Sequence, residues 1–178
     1  MTASTDILIP GIAGDGSLFP IEKLQAHREA VFHLAISVFV FDGPHLLIQQ
    51  RALSKYHCGG LWANTCCSHP NWNETVEACA RRRLDEELGI SVPLERRRTV
   101  EYSADVGGGL HEHERVSMFV ASVDRATLAL HANPDEVMAT RWTMPADLRS
   151  EMRSHPERFT PWFKLYLHRY PDLSFSCL

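Results

Sequence analysis

The chain has 178 residues, 44% of them hydrophobic and 22% charged, with a net charge of −4. That composition fits a globular domain with a sizeable core, and it argues against a general nucleic-acid binder. The longest apolar stretch, around Leu34 to Phe41, falls far below the roughly 20 residues of a membrane span.

One compact domain over residues 1–178 is the simplest organisation, with about the first 20 residues peripheral. The opening MTASTDILIP has no basic region and only a short apolar run, so no secretory leader is expected. Five cysteines, Cys58, Cys66, Cys67, Cys79 and Cys177, are odd in number and two are adjacent. They form no disulfide framework, which points to a reducing, cytoplasmic setting. His57, Cys58, Cys66, Cys67 and His69 lie close together, but no pair of C-x2-C arms supports a structural zinc knuckle.

Gly11 to Pro20 reads as turns around a short hairpin, and Ile21 to Ala30 as a helical segment carrying Lys23 and His27. His33 to Phe41, rich in β-branched and aromatic residues, predicts a buried strand. Asp42-Gly43 turns the chain into a second strand, His45 to Arg51, with Arg51 and Lys55 at its exit. From Trp62 the chain runs into Cys66-Cys67 and a Ser68-His69-Pro70 turn.

An amphipathic helix follows. Val76, Cys79, Ala80, Leu84 and Leu88 recur at helical spacing and predict its buried stripe. Asn71 or Asn73 is the expected N-cap, with Glu74 completing a capping box, and Gly89 closes the helix. Arg82, Arg83, Glu86 and Glu87 stay off the stripe. Their spacing suits two surface ion pairs, and the same carboxylates suit a hard cation such as Mg²⁺.

Beyond the helix, Ser91 to Val100 starts a strand pattern interrupted by Pro93, and Gly107-Gly108-Gly109 reads as a flexible link. Leu110 to Val123 predicts one long strand. Alternation puts Glu112 and Glu114 on one face, with His111 and His113 on the other. Two carboxylates on one face repel unless a cation neutralises them. Val137 to Thr143 predicts a short strand, and Pro145 to Arg153 and Pro161 to Tyr170 two helices.

Ser68, Glu74, Arg82, Arg83, Leu84, Glu86, Glu87, Gly89 and Ile90 resemble the Nudix box, with Ser68 in place of its first glycine and Arg83 in place of a glutamate. Exchanging a metal-binding carboxylate for a cation favours holding a diphosphate over cleaving it. The preceding Arg51 to Lys55 and the run Trp62 to Pro70 make the chain similar to type 1 isopentenyl-diphosphate isomerases, from about Lys23 to Trp162. Many members have Pro-Gly before that tryptophan, where this chain has Gly59-Gly60.

The resemblance implies a Nudix-like α/β/α sandwich, an α/β fold with a mixed sheet. It implies a divalent cation (Mn²⁺, Zn²⁺ or Mg²⁺) at His27, His33, His69, Glu112 and Glu114, and a Mg²⁺ joining Glu87 to the substrate diphosphate. Lys23, Arg51, Lys55 and Arg83 match the diphosphate contacts, while Cys67, Glu114, Tyr102 and Trp162 match the catalytic group. Moving a double bond from the 3,4 to the 2,3 position needs an acid, an opposed base, an aromatic face and no bulk water. The implied assignment makes Glu114, helped by Tyr102, the acid. Cys67, as thiolate, is the base, and Trp162 covers the cationic carbon. The expected partner is a small prenyl diphosphate, with no nucleic acid or membrane span, for a monomer or weak dimer. Two other activities fit some of these residues: a Nudix-type diphosphate hydrolase, and a non-catalytic metal- or diphosphate-binding module.

Overall fold

The structure, a computed structural model, describes residues 7–171 and 173; Cys177 lies outside the described residues. The sheet is organised around β3 (His33–Asp42), whose continuous apolar run is buried on both faces. β3 pairs in parallel with β8 (Leu110–Ser122), and antiparallel with β4 (His45–Arg51), with β6 (Cys66–Ser68) and, at one rung, with β1 (Leu8–Ile12). β2 (Leu18–Glu22) extends the edge beyond β1, while β5 (Trp62–Ala63) and β9 (Val137–Thr143) pair with β4. β7 (Glu95–Gly107) pairs with β8. Parallel strands need cover on both faces, and this sheet has it.

On one face lies α2 (Val76–Leu88), whose Cys79, Ala80, Leu84 and Leu88 pack on Ile36, Val38 and Val40 of β3. On the other lie α3 (Pro145–Ser154) and α4 (Pro161–Arg169), where Trp162, Phe163 and Tyr166 meet Ala35 and Phe39. The two faces of β3 divide by alternation, even residues toward α2 and odd residues toward α4. The α/β/α sandwich is the expected architecture. Full burial of a side chain such as Leu84 stabilises the fold by about 1.5–3 kcal/mol.

Local chemistry departs from expectation at two places. The N-cap of α2 is Thr75, whose hydroxyl accepts from Ala78 N, and not Asn71 or Asn73. Asn73 instead takes a left-handed turn at φ 68°, and the carboxylate of Glu74 reaches back to Asn71 N at 2.8 Å. Glu74 thus makes the reciprocal bond of a capping box while the cap itself moves nearer the helix. The three glycines at 107–109 are not a loose link. All have positive φ (64–85°), and they close the β7–β8 hairpin, so β7 runs on past Val100 to Gly107. Gly89 ends α2 at φ 64° as expected. Among the described residues, no helix is long and apolar enough to cross a membrane.

Candidate active site

Strand register assembles the site. His33 on β3 stands opposite Glu114 on β8, and Glu114 opposite Tyr102 on β7, so one rung carries all three side chains to the α4 face. Two residues before it, Glu112 shares that face, buried like Glu114 at 4% exposure. His27 comes from α1 (Lys23–Arg28), and His69 from the turn after β6. His27 Nδ1 donates to the Lys23 carbonyl at 2.7 Å, and His33 Nδ1 to the Val31 carbonyl at 2.6 Å. A carbonyl only accepts, so each ring keeps its Nε2 lone pair for the cavity. His69 Nε2 is 2.8 Å and His33 Nε2 3.5 Å from Glu114 Oε1. One donor atom each from His27, His33, His69 and Glu114 falls within 4.8 Å of the others.

The Tyr102 hydroxyl lies 2.6 Å from Glu112 Oε2 and 2.8 Å from Glu114 Oε2. It has one proton to give, so the other contact must be a protonated carboxyl donating to it. Burial, together with the charge of Glu114, pushes Glu112 well above the usual carboxylate range. Burial also acts on Glu114, but the hydrogen bond with His69 and the neighbouring His33 ring outweigh it and hold that carboxyl well below its ordinary value. The pair therefore shares one proton, resting on Glu112, in a chain Glu112–Tyr102–Glu114.

Cys67 stands on the opposite wall. Its rung on β6 faces Ser37 of β3; Sγ donates to Asn64 Oδ1 at 2.9 Å and lies 3.4 Å from Ser37 Oγ. Asn64 is fully buried and bonds the Val38 and Cys66 carbonyls, which fixes the oxygen that receives the thiol. Burial pushes the Cys67 thiol up to about 12 against the pull of Ser37 and Asn64. A small cavity of about 40 Å³ separates Cys67 from Glu112, Glu114 and Tyr102, and Trp162 and Tyr166 help line it. Trp162 is 2% exposed and carries the Arg51 guanidinium over its ring, 5.3 Å from the centroid.

The cavity opens into a cleft of about 360 Å³ walled by Lys23, Lys55, Arg82 and Arg83. Burial, with repulsion from Arg83 and Arg51, draws Lys23 down to about 8. Burial draws Lys55 to about 8 as well, against the pull of Glu87. Arg83 ties Glu86 and Glu87 at 2.7 and 2.8 Å, and it reaches Glu136 at 3.2 Å. Glu87 is not the surface residue its place off the stripe suggests. It is 3% exposed, and its other oxygen accepts from Gln49 Nε2 at 2.7 Å.

A NUDIX domain model matches residues 31–163. The isopentenyl-diphosphate Delta-isomerase of Roseobacter denitrificans is 53% identical over 163 residues, 90% of this chain and 91% of that protein. The chain belongs to that isomerase family. The Ruegeria pomeroyi isomerase is 52% identical over 171 residues, 96% of this chain and 94% of that protein. Solved structures share the fold at lower identity. A Deinococcus radiodurans protein matches with TM-score 0.72 at 14% identity, over 92% of this chain and 99% of its own. A MutT NUDIX hydrolase from Burkholderia pseudomallei matches with TM-score 0.60 at 20% identity, over 78% and 98%.

Cys67, Tyr102, Glu112, Glu114, Trp162, Lys23, Arg51, Lys55, Arg83 and His69 all line the one cavity, and His27 and His33 stand behind it against Glu114. His113 turns away to the Ala30 carbonyl and the Phe32 ring, and His111 toward Asp105, as the pleat requires. No cysteine joins a metal-type cluster among the described residues, and Cys58 Sγ bonds the Val106 carbonyl instead. Sequence reasoning missed three contributors. Glu136 pairs with both Lys55 and Arg83 in the cleft. Asn64 holds the thiol. His57 reaches the second carboxylate. His57 carried a sequence signal in its closeness to the other His and Cys residues, and Asn64 in its place within the Trp62 to Pro70 run; Glu136 carried none.

Proposed function

We propose that this chain interconverts isopentenyl and dimethylallyl diphosphates by adding a proton on one face of the five-carbon chain and removing one on the other. A thiol and a proton-sharing carboxylate pair on opposite walls of one small cavity, beside a cationic cleft, carry this reading. The family relationship supports it. A place in isoprenoid synthesis follows from the substrate, and a reducing, cytoplasmic setting suits the free cysteines.

The diphosphate would lie against Lys23, Arg51, Lys55 and Arg83, displacing Glu136 from its pairs. The pinned tail fixes where the alkene sits between the walls. The proton comes from the Glu112–Tyr102–Glu114 chain. In the reactive form Glu114, which faces the substrate, carries the proton to be given, while Glu112 keeps its own and Tyr102 bridges the two. Adding that proton to the terminal carbon breaks the 3,4 π bond and leaves a tertiary cation. Loss of a proton from the neighbouring carbon to Cys67 Sγ then forms the 2,3 π bond. Trp162 and Tyr166 keep water away, and a tryptophan face stabilises such a cation by about 0.5–2 kcal/mol.

The resting thiol sets a condition. The reactive form needs the proton of Cys67 on the carboxylate side, leaving a thiolate. Resting and reactive forms hold the same number of protons, so their ratio does not change with pH. The resting arrangement, thiol opposite carboxylate, is the one the forward reaction leaves behind and the one the reverse reaction uses.

His27, His33, His69, Glu112 and Glu114 suit a divalent cation: buried His33 Nε2 and His69 Nδ1 have no protein partner, and the carboxylates crowd each other. Such a cation supplies positive charge that holds Glu114 in place and makes it a stronger acid. Mn²⁺, Zn²⁺ and Mg²⁺ all accept this donor set. Glu87 belongs to no cluster of three ligands among the described residues. A Mg²⁺ there would take most of its oxygens from the diphosphate and water, as Mg²⁺ commonly does.

Incubation with isopentenyl diphosphate, Mg²⁺ and Mn²⁺ in D₂O, followed by proton NMR, tests the proposal. Deuterated dimethylallyl diphosphate is the expected product. Unchanged substrate from reduced, metal-loaded protein would refute the isomerase reading, and free phosphate would point to hydrolysis.

A further inference from the structure

The donors around the carboxylate pair form two groups that share one residue. Besides His27, His33, His69 and Glu114, a second set, His27, His57 and Glu112, brings one donor atom each within 4.8 Å of the others. Six donors about 2.1 Å from one ion lie within roughly 4.2 Å of each other, so each group is close to the span of one coordination shell.

The groups cannot serve two ions at once through His27. Its Nδ1 is spent on the Lys23 carbonyl, which leaves a single lone pair at Nε2, now 3.4 Å from the Tyr56 hydroxyl. The two sets as they stand are not all within 4.8 Å of one another, so one ion held through His27 and both carboxylates would have to draw them together. Tyr102 ties up the Oε2 atoms of both carboxylates, so each Oε1 is left to face histidines. Glu114 Oε1 faces His69 and His33, while Glu112 Oε1 faces His57 Nε2 at 3.8 Å. That gap is too long for a hydrogen bond and suits two ligands of a shared ion.

The ring of His57 packs edge-on against Tyr56 and Trp162, and neither contact uses its nitrogens in a hydrogen bond. Its side chain is 4% exposed, its Nδ1 is buried without a partner, and its ring stacks on His27 at 5.6 Å. The loop from Ala52 to Leu61 is built to put it there. Gly59 packs so close to the Leu53 carbonyl that a Cβ would sit 2.8 Å from that oxygen, and Gly60 turns at φ 78°. Arg51 Nη2 donates to the His57 carbonyl at 3.2 Å and anchors its backbone.

We propose that His57 is the sixth ligand of the cation held by His27, His33, His69, Glu112 and Glu114, closing its shell with side chains alone. The inference rests on the metal cluster of the preceding subsection and adds a ligand the resemblance did not include. A closed shell has no position for water or a substrate oxygen. The ion then serves to fix and acidify the carboxylates, which separates this centre from a hydrolytic one.

Mn²⁺-loaded full-length protein, prepared with ordinary and with ¹⁵N-labelled histidine, tests this by pulsed EPR. Four coordinated imidazoles and no exchangeable inner-sphere water by ¹⁷O-water broadening are expected. His57→Ala should show three imidazoles and one bound water. Its Mn²⁺ affinity should fall by at least the roughly 10–100-fold that loss of an outer-shell partner costs. Three imidazoles and a water in the unaltered protein would overturn the proposal, and so would an unchanged count and affinity in His57→Ala. The count on the unaltered protein decides the matter even if the variant does not fold. Failure to bind Mn²⁺ at all would remove the underlying cluster as well, a result distinct from binding through three histidines.

Discussion

Cys67 and Glu114 divide one proton between two walls, and the surroundings of each decide where it rests. Burial keeps the thiol protonated, and two histidines keep Glu114 ionised. Replacing Cys67 by Ala removes the group that takes the second proton, so kcat should fall by on the order of 10²–10⁴-fold in the NMR assay, with little change in fold. The cationic cleft gives a pH dependence of definite sign. Lys23 and Lys55, drawn down to about 8, lose their charges as pH rises through that value. Capture of the diphosphate should therefore weaken above about pH 8, lowering kcat/KM. The maximal rate should stay flat there, because bound diphosphate restores the lysine charges. A pH series of initial rates checks both limbs, and a kcat/KM unchanged to pH 9.5 would exclude these lysines from substrate capture.

Among the elements, α2 was almost wholly readable. Its apolar spacing set the buried face, and Gly89 set its end. A Cβ at Gly89 would meet His131 at 3.0 Å while the backbone sits at φ 64°. Gly89→Ala should cost about 1 kcal/mol or more, seen as a lower midpoint in urea. Leu84, 1% exposed against β3, has the larger stake; Leu84→Ala should cost about 2–5 kcal/mol through lost burial and a cavity. The cap escaped prediction because Asn71, Asn73 and Thr75 are all competent. The left-handed turn at Asn73, a tertiary outcome, moved the helix start to Thr75. Glu87 escaped for a similar reason. A helix wheel places it off the apolar stripe, yet Gln49 of β4 and Glu136 beyond the sheet close over that side.

In the whole molecule, His27, His33, His69, Glu112 and Glu114 converge from four separated stretches, four of them buried and His69 partly so, and the desolvation of their polar groups is a cost the fold carries until a cation arrives. Binding to the native state alone stabilises it by about 2.7 kcal/mol when free metal is 100 times its dissociation constant. Chelator-treated protein should thus melt several degrees lower than protein in excess Mn²⁺. Equal melting temperatures would show that the cluster binds no ion in the folded state.

The strands β3, β4, β8 and β9, the three longer helices and the common face of Glu112 and Glu114 were legible in the sequence, because period and turn chemistry are local properties. So were the residues that came together in the cavity, through their likeness to a family pattern. What the chain order hides is register. Only the pairing of β3 with β8 sets His33 beside Glu114, and only that of β3 with β6 sets Ser37 beside Cys67. The resting protons of Cys67 and Glu112, and the approach of His57 and Glu136, likewise depend on groups distant in sequence. Charge and desolvation act through space, so these properties were decided by the packed structure alone.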